Sequence, residues 1–144
     1  AYLNLDMVGR GGTDDIPGGG PTYLQLVGSR RLSIELGDLV EEVNAALPVP
    51  FEFDYSLDAN GHPERIYCRS DHWNYARYGI PVVFFTTGLH KDYHQVTDEP
   101  DYIDYPHMAR VARLVHDVAL RLANLEHRIV VDRPVSAPGE ECRQ

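Results

Sequence analysis

No stretch of about 18 apolar residues occurs in the 144-residue sequence, so a helical membrane span is not expected. Basic residues number 13 against 22 acidic ones, and the net charge of -9 argues against a nucleic-acid partner, which would favour a basic patch. There are two cysteines, Cys68 and Cys142. They lie too far apart for a short-spacing metal motif, and the sequence leaves open whether they pair. The opening AYLNLDMVGR has neither a basic n-region nor an apolar h-region. The Gly-rich loop at 11–21 lacks the lysine of a phosphate-binding loop. No G-x-S-x-G is present, and the adjacent Ser70, Asp71 and His72 seldom point at one another, so a serine hydrolase is excluded.

What is present is organised around residues 67–101. Asp71 is a candidate cap for a short helix over 71–78, which Gly79 and Pro81 end. Residues 82–85, VVFF, read as a strand covered on both faces. Just past its carboxyl end, where open α/β sheets place ligands, come His90, Asp92, Tyr93, His94 and Asp98. Before this stretch, alternation of Leu3, Leu5 and Met7 with Tyr2, Asn4 and Asp6 predicts a strand over 2–8, leaving Asp6 at its end. Further strands are expected over 23–27 and 51–55. An amphipathic helix is expected over 33–47, with Leu36, Leu39, Val40, Val43 and Leu47 on one face. The longest helix is predicted over 104–126, capped by Asp104, its apolar stripe running from Met108 to Leu125. Arg113, Asp117 and Arg121 offer i,i+4 pairs there, and His107, His116 and His127 read as surface or helix-end histidines. Glu41-Glu42 falls on a solvated helix face. Residues 132–144 read as a polar tail following a unit at 1–131. The alternation of elements predicts an α/β layered fold, a mixed sheet with flanking helices.

Asp6 and His94, a carboxylate and an imidazole from separate strand ends, suit a zinc site of mixed oxygen and nitrogen ligands. The ordered motifs NLDMVGR, Y-x-x-SDH, GIPVVFFTTG and DYHQVTDEP resemble the C-terminal half of a di-zinc aminopeptidase. That family is the bacterial leucyl-aminopeptidase type, which includes glutamate carboxypeptidase-like and glutaminyl-cyclase-like members. The resemblance spans residues 1–126. It implies Asp6 as a ligand of one zinc, His94 as a ligand of the other, and Tyr67 as the phenol that stabilises the tetrahedral oxyanion. Ser70, Asp71 and His72 would support the site, Asp98 would be a partner behind the ligands, and the loop 86–93 would shape the pocket for the substrate side chain. A metal-bridging hydroxide would attack the peptide carbonyl, with a glutamate as general base.

The resemblance also implies an upstream His-x-Asp and a Glu-Glu pair that these residues do not supply. His90-Lys91-Asp92 and Glu41-Glu42 carry the letters in the wrong places. The expectation is therefore a fragment of a metallo-exopeptidase, inactive alone, with one ligand for each of two zincs. Its expected partners are a peptide substrate and either a second copy or the missing N-terminal half. A non-catalytic module of the same fold and a single-zinc, glutaminyl-cyclase-like relative are the alternatives. Compartment is left open.

Overall fold

The computed structural model describes residues 1–137 and 139–144. Its centre is the strand that the apolar run predicts, Val82–Thr86, every residue of which is buried. Tyr2–Leu5 (β1) lies parallel to it on one side and Tyr23–Val27 (β2) antiparallel on the other; Glu52–Asp54 (β3) then pairs parallel with β2. With Val82–Thr86 as β4, the order is β1–β4–β2–β3, a mixed sheet.

Because side chains alternate across a strand, β4 supplies both cores. Val83 and Phe85 join Leu24 and Leu26 of β2 beneath two helices, Ile34–Ala45 (α1) and Tyr105–Ala123 (α3). The helices contribute Leu36, Leu39, Val40, Val111, Leu114, Val115 and Val118. Full burial of one such aliphatic side chain is worth about 2 kcal/mol. On the opposite face Val82 and Phe84 pack with Val27, Leu57, Ile66, Tyr67 and Ala76. That layer is made of short pieces: 3-10 turns at Ser56–Asp58 and Ile66–Cys68, and a four-residue helix, Trp73–Ala76 (α2). The architecture is α/β/α, with long helices on one face and short turns on the other.

Local chemistry fixes the long helices. Ser33 accepts from the amide of Leu36 at 3.1 Å and Asp104 from that of His107 at 2.9 Å, each satisfying a donor the helix cannot. Asn44, buried in α1, exchanges hydrogen bonds of 2.9 and 2.8 Å with the backbone of Phe51, which fixes the Pro-containing connection to β3.

Three expectations need correction. Asp71 caps nothing with its side chain: α2 begins at Trp73, the preceding Ser70 has φ +57°, and Asp71 is exposed. His107 is buried, edge-on to Phe51 at 5.6 Å, because the first turn of α3 tucks under the sheet; burial lowers its pKa. Asp117 bonds His116 at 2.9 Å, and no pair with Arg113 or Arg121 forms among the described residues.

Residues 132–144 hold no regular element where described, but they are tied to the body. Cys142 is disulfide-bonded to Cys68, the pairing that the sequence left open.

Candidate active site

A cleft of about 230 Å³ opens at the carboxyl ends of β1 and β4. Asp6 and His94 both line it, and both are exposed there. Asp6 is the residue after β1, its amide 3.3 Å from the carbonyl of Phe85, so the parallel pairing with β4 delivers it to the sheet end. His94 arrives on the loop that follows β4. Leu57, Ile66, Phe84 and Leu89 supply apolar walls, and Arg69, Ser70, Thr86 and Tyr93 supply polar ones.

The backbone around the cleft is strained. Met7, Ser70 and His94 have φ of +56°, +57° and +59°, and each lines the cleft. A left-handed conformation in a residue with a Cβ costs about 1–2 kcal/mol, and surrounding bonds must hold it. The carbonyl of Met7 accepts from both the amide and the hydroxyl of Thr87, at 2.9 and 2.5 Å. Ser70 accepts from Asn4 at 3.1 Å and donates to Asp6 Oδ2 at 3.0 Å. Asn4 is buried, so this relay starts from a fixed point and orients the Asp6 carboxylate. The His94 ring stacks on Tyr93 at 3.8 Å, and the Tyr93 hydroxyl accepts from Arg69 at 3.0 Å.

The His94 loop is anchored from behind. Arg10 is 6% exposed and bonds Asp15 at 2.5 and 2.9 Å, Asp92 at 3.0 Å and Asp98 at 3.4 Å. The Arg10 guanidinium holds the Asp15 carboxyl below the usual range, and the Thr97 hydroxyl and Arg10 do the same for Asp92. One buried cation thus pins the Gly-rich loop at 11–20 to both sides of His94. His90 is buried with Nε2 3.8 Å from Asp98, so His90, Asp92 and Asp98 belong to this anchor.

Tyr67 lies elsewhere. Its ring is buried in the second core, with the Arg31 guanidinium 4.3 Å from its centroid, and it is not among the residues lining the Asp6–His94 cleft. Burial pushes its phenol up to about 12. The phenol that does face the cleft is Tyr93. His72 is fully buried behind the site, stacked on Phe84 at 4.8 Å, with Nε2–H donating to the carbonyl of Tyr67 at 2.9 Å. A carbonyl can only accept, so Nε2 carries a proton, and burial pulls the ring's pKa down to about 4. Of the neighbouring Ser70-Asp71-His72, only Ser70 touches a cleft carboxylate. The Arg10 anchor went unread in the sequence; an arginine preceding a Gly-rich acidic loop was its one trace.

A mixed sheet flanked by helices thus brings a carboxylate and an imidazole to one cleft at its strand ends. Residues 1–119 match peptidase family M28, and the chain belongs to that family. Among solved structures, the chain is similar in fold to the LapA aminopeptidase of Legionella pneumophila, with a TM-score of 0.60 at 20% identity. The likeness covers 87% of this chain and 31% of that one, so the chain spans about a third of that aminopeptidase. No curated protein sequence matches it.

Zinc is the metal that such a peptidase implies. A zinc site takes at least three protein donors. The cleft offers one carboxylate and one imidazole, and no group of three or more His, Cys, Asp or Glu is arranged to hold a metal among the described residues. The described residues alone do not fit a zinc ion.

Proposed function

We propose that these residues are the C-terminal portion of the catalytic domain of a zinc-dependent aminopeptidase, with Asp6 and His94 as two members of a donor set completed from outside them. The observation that carries this reading is the cleft itself. Two ligand-type side chains from separate strand ends share it, one oriented by a buried Asn4–Ser70 relay and the other set on a strained, anchored loop. Strain and orienting bonds cluster where function requires a fixed geometry.

The free outer edge of β1 supports the same view. β1 is the end strand of the sheet, and Leu5 on it is 41% exposed. An unpaired edge carrying an exposed aliphatic side chain is suited to pairing with a further strand. A peptide substrate would lie in this cleft of mixed polar and apolar walls with its scissile carbonyl towards Asp6 and His94. The oxyanion role for Tyr67 finds no supporting contact, since its ring packs under Arg31.

The test is hydrolysis of an aminoacyl anilide by a longer chain that adds a segment bearing a His-x-Asp and a Glu-Glu pair. Activity that Asp6→Asn and His94→Ala each abolish is expected. A folded longer chain without peptidase activity would sink the reading.

A further inference from the structure

The cleft wall formed by Leu57, Ile66, Arg69 and Ser70 belongs to no strand and no long helix. What holds it comes from the other end of the chain. The Gln144 side chain accepts from the amide of Tyr67 at 2.9 Å and donates to the carbonyls of Leu57 and Ala59 at 3.0 and 3.3 Å. The Gln144 carbonyl accepts from the amide of Gly61 at 2.9 Å. Arg65 donates to the Cys142 carbonyl at 2.8 Å and Arg31 to the Arg143 carbonyl at 3.3 Å. One short segment therefore joins the turn at Ser56–Asp58 to the turn at Ile66–Cys68, and the Cys68–Cys142 disulfide locks it in place. Cys68 lies between Ile66 and Ser70, two residues from the hydroxyl that orients Asp6.

We propose that Cys142, Arg143 and Gln144 form a redox-sensitive clasp, and that reduction of Cys68–Cys142 releases this wall of the cleft. The proposal concerns the wall alone and stands whether or not the cleft holds zinc. A dithiol such as dithiothreitol supplies the two electrons. The Cys68–Cys142 bond breaks, each sulfur takes up a proton, and the reductant closes to its own cyclic disulfide. Without the covalent lock, the hydrogen bonds to Gln144 must order a segment no longer tethered at Cys142 against its conformational entropy.

Amide hydrogen exchange on the 144-residue chain, oxidised and then reduced with dithiothreitol, tests this. The amides of Gly61 and Tyr67, which both donate to Gln144, should exchange at least about tenfold faster on reduction and open ahead of the amides of β4 and α3, which exchange only when the whole fold opens. The Gln144→Ala variant, its disulfide intact, should expose the Tyr67 amide, which loses its side-chain acceptor, and spare β4, α3 and Gly61, whose acceptor is the main-chain carbonyl that alanine keeps. Unchanged exchange at Gly61 and Tyr67 on reduction, opening there only together with β4 and α3, or an unchanged Tyr67 amide in Gln144→Ala, overturns the clasp. Global unfolding of the reduced chain overturns it as well, since the disulfide would then hold the whole fold and not this wall.

Discussion

Arg10 is a guanidinium nearly closed off from water and shared among Asp15, Asp92 and Asp98. Removing one partner of such a cluster leaves carboxylates without their counter-charge, which costs far more than the intact pairs contribute. Arg10→Leu should lower stability by about 2 kcal/mol, a value reduced from the fully buried case because the carboxylates keep some contact with water. It should also free the His94 loop, visible as loss of amide protection from 90 to 98. The pH dependence follows from the depressed pKa values of Asp15 and Asp92. A carboxyl whose folded pKa is lowered contributes stability above its unfolded value, and loses it as pH falls through the folded one. Acid titration of the unfolding free energy should therefore show a fall below about pH 4 that Arg10→Leu diminishes.

His72 gives a second, separable effect. Its folded pKa of about 4 lies below the value near 6.5 of an unfolded histidine. As pH falls from about 6.5 to 4, the unfolded chain takes up a proton that the buried ring refuses, and the folded state loses on the order of 3 kcal/mol. His72→Phe keeps the stack on Phe84 and removes the titration, at the cost of the bond to the Tyr67 carbonyl. Denaturant unfolding at pH 7 and pH 4.5 should show a smaller difference for the variant than for the native chain. An equal difference would place the titrating group elsewhere.

At the scale of elements, the disulfide spans 74 residues of sequence. In the chain-entropy account, closing a loop of that length stabilises the fold by about 4 kcal/mol. Replacing both cysteines with serine should reduce the unfolding free energy by about that amount, measured by denaturant titration of the single tryptophan, Trp73, which packs beside Tyr67 at 5.7 Å. A loss under about 1 kcal/mol would mean that the unfolded chain gains little freedom from the cut. Such a bond forms and persists in an oxidising compartment.

The same scale shows what the sequence could tell. The strand at Val82–Thr86 and the helices at Ile34–Ala45 and Tyr105–Ala123 were legible because apolar spacing and capping residues carry them. The placement of Asp6 just after β1 and of His94 in the loop past β4 was legible from the strand pattern. Pairing order was not legible, since nothing in β2 announces that it runs antiparallel to β4. The layer at 56–76 was equally silent, because its order comes from contacts with residues 142–144 and from left-handed residues such as Ser70, whose conformation tertiary bonds impose. Tyr67 illustrates the limit. Its position before Ser-Asp-His suggests a phenol at the cleft, yet its place under Arg31 depends on a contact far away in sequence.

At the scale of the whole molecule, a family M28 chain spans about a third of a similar aminopeptidase and brings two ligand-type residues to one cleft. The account rests on those two being part of one metal site that this chain does not complete. Zinc per chain, measured by atomic emission after metal reconstitution and exhaustive dialysis, tests it most directly. The prediction is far less than one tightly held zinc, with any weak binding seen by titration lost in both Asp6→Asn and His94→Ala. One or two zincs held tightly per chain, and retained by both variants, would contradict it.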